Sequence, residues 1–182
     1  LGLTPSMELI RQSEGEEGYI GIIWRDKTYK QPTDKSMNQF VLDRFEHTVK
    51  ATVNEETGEL RGFVWLKERT GSLSLSFVQC EEIAVKFLNT YFPAFIPYLQ
   101  MKVQDESFNE ANRAFFHFGL FVQGLPLEGE FFMLSVNKTT GLVDMLRAPK
   151  LDARVLEDFQ IQPKLPIEQA KEALKDVDAV LE

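Results

Sequence analysis

The chain has 182 residues, of which 43% are hydrophobic and 12% aromatic; that is ample for a buried core in one domain or two small ones, and it argues against intrinsic disorder. With 28 acidic against 20 basic side chains the net charge is −8, which disfavours broad attraction to nucleic acid or an anionic membrane, since both need a concentrated basic face. No apolar run approaches the roughly 20 residues of a membrane-spanning helix, and a single cysteine, Cys80, excludes an internal disulfide framework or a multi-cysteine zinc site.

Residues Leu1 to Met7 lack the charged and apolar regions of a signal peptide. The sequence opens on Leu1 rather than Met, so it reads as a processed product or a piece of a longer chain, and its compartment is left open.

In chain order, strands are expected over 8–12, 19–25, 45–53 and 60–67. In the third of these, Phe45, His47, Val49, Ala51 and Val53 alternate with polar residues, the pattern of a half-buried antiparallel strand. A helix follows, with Cys80, Ile83, Ala84, Phe87, Leu88 and Tyr91 at the spacing of one buried stripe. Ser76 and Gln79 have capping-box spacing at its start, and Pro93 stops it.

Four more strands are expected over 99–103, 113–122, 131–136 and 143–147, the second of them apolar on both faces through Phe115, Phe116, Phe118 and Phe121. An irregular link over about 148–164 then leads to a helix with Pro166 in its first turn and Ile167, Ala170, Ala173, Leu174 and Val177 as its stripe. Phe159 and Ile161 are expected to pin the link to the core.

The strongest internal signal is a repeat. Val53-Asn54-Glu55-Glu56-Thr57-Gly58 returns as Val136-Asn137-Lys138-Thr139-Thr140-Gly141, an offset of 83 residues (137 − 54). Each copy has hairpin chemistry: Asn bonds its own turn and Gly supplies the left-handed conformation before the chain returns. A second pair, Phe77-Val78-Gln79-Cys80 and Ile167-Glu168-Gln169-Ala170, opens the two helical patterns. The predicted fold is α+β: two tandem units, each an antiparallel sheet of about four strands with a packing helix. Residues 1–75 form the first unit, 76–147 the second, and 148–182 the link and final helix. The first unit lacks a leading helix, so either one precedes it or another helix covers its sheet.

The run Phe116-x-Phe118, Gln123-Gly124-Leu125-Pro126-Leu127-x-Gly129, Val136-Asn137-x-x-Thr140-Gly141-x-Val143 and Leu165-Pro166-Ile167-Glu168-Gln169-Ala170 resembles the YcdB/YcdC repeated domain of bacterial proteins. That family is similar to the wider PepSY and propeptide-like group, in which a helix packs on a small antiparallel sheet. The likeness is best from about Phe77 to Leu174. It is looser in the first unit, through Met7 to Ile10, Ile23-Trp24 and the Asn54 to Gly58 turn, where a long polar insertion, Lys27 to Asn38, departs from the pattern. Gln123 stands where the family often has Asn. The resemblance implies a module that binds or restrains a peptidase, often at the bacterial cell envelope or outside the cell, and it supplies no catalytic residue.

The residues agree in offering no catalytic constellation, no metal set and no cofactor motif. His47 and His117 fall on apolar strand faces and read as packing histidines. Cys80 with a histidine is the sharpest nucleophile–base idea, yet it lies on a buried helical stripe where its counterpart is Ala170. Acidic runs at Glu14 to Glu17, Glu55-Glu56, Glu81-Glu82 and Asp105-Glu106 read as solvated rather than as acid–base pairs. The phenylalanines of 115–121 lack the basic track of a single-strand nucleic-acid binder. The candidate partner-binding surface is Leu125, Pro126 and Leu127 in the connection after that strand, with Phe131 beside them. The expected function is a non-enzymatic binding or regulatory module, with a structural spacer as the alternative and a hydrolase using Cys80 or paired carboxylates behind both. Oligomeric state is not legible.

Overall fold

The computed structural model describes residues 5–14, 18–30, 47–65, 74–102, 112–159 and 169. Expectations for Glu16-Glu17, Asp105-Glu106, Ile161 and most of the final helix lie outside them, as does most of the Lys27 to Asn38 insertion.

The described strands are β1 (Met7–Glu14), β2 (Tyr19–Asp26), β3 (Thr48–Asn54), β4 (Leu60–Val64), β5 (Leu99–Met101), β6 (Arg113–Val122), β7 (Leu125–Asn137) and β8 (Val143–Arg147). They form one antiparallel sheet in the order β1-β2-β3-β4-β8-β7-β6-β5. Antiparallel pairing stands as expected, but two separate four-stranded sheets do not: two sequential meanders join edge to edge through β4 and β8. The physical reason is that each meander would otherwise leave its last strand's N–H and C=O groups unpaired, and each supplies the other's missing partner.

The seam has a symmetry the repeat dictates. Phe63 pairs with Leu146, Gly62 with Arg147 and Val64 with Met145. At the 83-residue offset of the repeated turns, Phe63 and Leu146 are equivalent positions, and the other two pairs exchange with each other. The β4–β8 contact is therefore a pseudo-twofold axis through the Phe63–Leu146 pair.

Both repeated turns are built as their residues require. Asn54 Oδ1 accepts from the N–H groups of Glu56 and Thr57 at 2.9 Å each, and Asn137 Oδ1 accepts from Thr139 and Thr140 at 3.0 and 3.1 Å. Gly58 and Gly141 then take φ of +69° and +67°, the left-handed region where a side chain is strained. Directly after each turn comes a bulge, in β4 between the Thr52 and Val53 pairings and in β8 between those of Ser135 and Val136.

Helix α1 (Phe77–Tyr91) starts at the expected capping box: Ser76 accepts from the Gln79 N–H, and Gln79 Oε1 accepts from the Ser76 N–H at 2.9 Å. Its buried residues Cys80, Ala84 and Leu88 face the sheet. Phe77 meets Phe116, Phe87 meets Phe63, and past the helix end Phe92 and Phe95 both pack edge-on to Phe132. A 3-10 turn (Pro93–Tyr98) extends this cover to β5. Across the strands, Phe116, Leu134, Leu146, Phe63, Ala51 and Ile22 form one continuous apolar row on the helix side, so one core runs through the seam.

Several boundaries differ from expectation: β1 is longer than 8–12, β3 starts at Thr48 rather than at 45, β5 stops at Met101, and two further departures change the organisation. The second hairpin is tight: Gln123 and Gly124 take φ of 51° and 81°, and β7 begins at Leu125 because Pro126 and Gly129 are absorbed beside an irregularity in the β6–β7 register. The link after β8 holds a short helix, α2 (Ala153–Glu157), capped by Asp152, and its buried Ala153 and Leu156 anchor the link. Phe159 is exposed.

Candidate functional site

The sheet face opposite α1 carries a groove of about 560 Å³. Its cause is a row of residues in cross-strand register: Ser13 opposite Gly21, Gly21 opposite Thr52, Thr52 opposite Gly62 and Gly62 opposite Arg147. Paired residues point to the same face, so two absent and two small side chains leave a trough across four strands. Gly62 is there for a second reason: a Cβ would lie 2.9 Å from the Leu146 carbonyl oxygen, so the close approach of β4 to β8 demands it.

One flank comes from the chain after β8. Ala148 donates to the Arg61 carbonyl at 2.8 Å, and Pro149, with no N–H to give, ends the ladder. Arg61 Nη1 donates to the carbonyls of Pro149 and Leu151 at 3.0 and 3.2 Å, and the Tyr19 hydroxyl donates to the Lys150 carbonyl at 3.2 Å. The Arg61 guanidinium also lies over the Tyr19 ring at 5.6 Å. The opposite flank carries Lys50 and Val64.

Four cations line the groove, Lys50, Arg61, Arg147 and Lys150, and the described lining contains no Asp or Glu. At the rim, Glu59 lies 3.5 Å from Arg61 Nη2, and Glu130 accepts the Lys150 N–H at 2.8 Å. Arg147 is steadied by the Phe131 ring, 4.5 Å from its guanidinium carbon. Phe131 in turn packs edge-on to His117 at 4.4 Å. Burial first, then Lys102 and Arg147, lowers the His117 pKa below the ordinary histidine value.

A second buried polar cluster occupies the matching place in the other half. Asp144 is the extra residue of the β8 bulge, as Arg61 is of the β4 bulge, and the two are equivalent at the 83-residue offset. Asp144 is 1% exposed. It accepts from Arg113 Nε at 2.8 Å and from the Ser135 hydroxyl. The cluster is buried, and its hydrogen bonds satisfy the Asp144 carboxylate.

The sequence candidates separate on this scaffold. Leu125 is 52% exposed at the hairpin tip with Pro126 beside it, whereas Leu127 packs against the core and Phe131 lies beneath Arg147; the four do not make one exposed patch. Cys80 is fully buried under α1, and burial raises its pKa, so it is an inert thiol remote from the groove. His47 stacks on Tyr29 at 4.4 Å, and neither histidine meets Cys80. Glu55 and Glu56 are exposed in the first repeated turn. Among the described residues no group of His, Cys, Asp and Glu is placed to hold a metal ion, and no helix is long and apolar enough to cross a membrane. The groove is not legible along the chain, because its floor comes from register between strands; Gly21 and Gly62, glycines inside strand patterns that both pair with Thr52, are the available signal.

Two sequence-repeated meanders fused into one antiparallel sheet, with a helix on one face, define a repeat-built domain. The chain belongs to the YcdB/YcdC repeated-domain family, whose model matches residues 2–149. The match takes in the first unit, where the motifs look looser, and stops before α2. The chain is 32% identical over 173 residues to "Uncharacterized protein YcdB" of Bacillus subtilis (strain 168), covering 94% of this chain and 37% of that protein. It is 30% identical over 174 residues to "Uncharacterized protein YcdC" of the same organism, covering 95% and 38%. It thus spans less than two-fifths of either relative. Among solved structures it is similar in fold to the Bacillus megaterium YpeB C-terminal domain, with a TM-score of 0.56 and 14% identity over 91% of this chain and 64% of that one.

Proposed function

We propose that this domain is a non-enzymatic binding module that engages a protein partner through the groove on its open sheet face. The observation that carries the reading is the groove's chemistry: a pinned concave surface with cations and small polar groups, whose described lining holds neither a nucleophile–base pair nor a carboxylate pair. Catalysis needs reacting groups within hydrogen-bond reach of one another, and the thiol that came nearest to that role is sealed in the core. Binding needs only shape, apolar flank and charge. The finer reading is a module that restrains a peptidase at the bacterial envelope, with the exposed Leu125–Pro126 hairpin tip as an additional contact.

The test is a panel of purified peptidases assayed with and without the domain, alongside generic ester and peptide substrates offered to the domain alone. The reading expects no turnover by the domain and slowing of at least one peptidase, relieved by Arg147→Glu. Turnover by the domain would contradict it. A spacer role is the second reading, favoured by the match to a repeated domain. It predicts no partner at the groove.

A further inference from the structure

We infer that the free edge of β1 is an interface between copies of this chain, at which β1 of a second copy adds antiparallel and continues the sheet. Its register sets Glu8 of each copy opposite Arg11 of the other and Leu9 opposite Ile10, with a twofold axis between Leu9 and Ile10. The inference stands apart from the groove, whose described lining includes neither Glu8 nor Arg11.

Among the described residues β1 is the outermost strand of the sheet, with β2 as its one strand neighbour. Glu8, Leu9, Ile10, Arg11 and Gln12 are all exposed, Leu9 at 57% and Ile10 at 42%. An edge strand in this state offers its outer N–H and C=O groups to another chain, and adjacent exposed apolar residues add area to the contact. The other end of the sheet is different: β5 has three residues, Leu99–Met101, and shortness is itself a protection against pairing. The fold already contains a contact of the same kind, since equivalent strands of the two meanders meet edge to edge and antiparallel at the Phe63–Leu146 seam.

The β1 bulge selects the register. Glu8 pairs with Arg25 and Arg11 with Ile23, while Met7, Leu9 and Gln12 pair with Asp26, Trp24 and Ile22. Cross-strand partners share a face, so Glu8 and Arg11 lie on the groove side and Met7, Leu9 and Gln12 on the helix side. In a regular strand residues three apart point to opposite faces. The irregularity between Leu9 and Arg11, with Ile10 as its extra residue, brings the two charges to one side. A twofold axis perpendicular to the sheet keeps each face on its own side. Pairing about an axis between Leu9 and Ile10 then sets Glu8 against Arg11 on the groove side and Met7 against Gln12 on the helix side, each twice. At the centre two leucines and two isoleucines leave water together. Charge complementarity is the deciding argument: among the described residues neither Glu8 nor Arg11 has an ion-pair partner, and this axis supplies one to each. An axis through Glu8 or Arg11 would instead set like charges directly opposite, which is unfavourable.

The experiment is sedimentation equilibrium of the chain over a wide range of concentration, with circular dichroism of each variant as the check on its fold. The mass should rise from one copy to two and no further, because a closed twofold contact uses the edge of both copies. Glu8→Arg and Arg11→Glu should each weaken association by about a hundredfold, since each variant loses two charge pairs worth on the order of a factor of ten apiece. An equimolar mixture of the two single variants should associate as the unaltered chain does, and so should the double variant Glu8→Arg/Arg11→Glu. A rescue of that kind cannot come from misfolding. A mass of one copy at every concentration would overturn the inference, as would a dimer that neither charge reversal weakens or a mixture that stays dissociated. Species that keep growing with concentration would mean head-to-tail joining of β1 to β5 and would overturn it too.

Discussion

Phe63 and Leu146 face each other across the β4–β8 seam and hold the same position in the two halves of the chain, so the pseudo-twofold axis of the sheet passes through a pair of buried apolar side chains. The seam is where two four-stranded meanders become one core, and its integrity should govern global stability. Phe63→Ala removes an aromatic ring that is buried and packed on Phe87, with an expected loss of about 3–5 kcal/mol. Urea unfolding followed by circular dichroism and by Trp fluorescence should give coincident transitions. Two separated transitions would show that the halves fold independently.

Gly62 tests the same seam from the backbone. In Gly62→Ala the new methyl lies 2.9 Å from a backbone oxygen across the seam, which cannot yield without moving β8, so a loss of about 1–3 kcal/mol is expected. Gly58→Ala meets nothing within 4 Å and bears only the strain of φ +69°, about 1–2 kcal/mol. Thermal melts of the two variants should therefore differ in cause: the first alters amide exchange in β4 and β8, the second only at the turn.

Arg113 and Asp144 form a buried ion pair at 2.8 Å. Arg113→Met strips the cation from a carboxylate that has no access to water, and such one-sided removal typically costs about 3–5 kcal/mol. The measurement is again urea unfolding.

His117 and Asp152 give the pH dependence opposite ends of the scale but the same sign. Burial and the neighbouring cations Lys102 and Arg147 lower the His117 pKa from the usual 6.5. Its stabilising contribution is therefore complete above that value and is lost as pH falls through the lowered folded-state pKa. Hydrogen bonds from Arg154 lower Asp152 from 3.8 to about 2, so that contribution is complete above 3.8 and lost as pH falls toward 2. Arg154 is exposed, and salt should screen the second effect, leaving it small. Stability measured from pH 7 to 5 should decline, and His117→Phe should flatten that slope.

The parts legible in the sequence were those set by neighbours along the chain. The capping box at Ser76 and Gln79, the apolar stripe of α1, the bounds of β6 and β8 and the two Asn–Gly turns all follow from local periodicity and local hydrogen bonding. Pro126 and Gly129 hid the true start of β7, because residues that break a central strand are accommodated beside a register shift. Asp144 falls within the expected strand 143–147 with nothing beside it in the chain to single it out; a bulge and an arginine 31 residues earlier make it a buried acid. The groove lay beyond reach for the same reason. Ser13, Gly21, Thr52, Gly62 and Arg147 are scattered in sequence and meet only through the register of five strands.

The most direct test of the groove as the working surface is an amide chemical-shift titration of the isotopically labelled domain with a peptidase that it slows. The account predicts that the amides of Gly21, Thr52, Gly62 and Arg147 move together along one saturating curve while those of α1 stay fixed. Saturating shifts confined to the Leu125–Pro126 hairpin tip, with the groove amides unmoved, would contradict it.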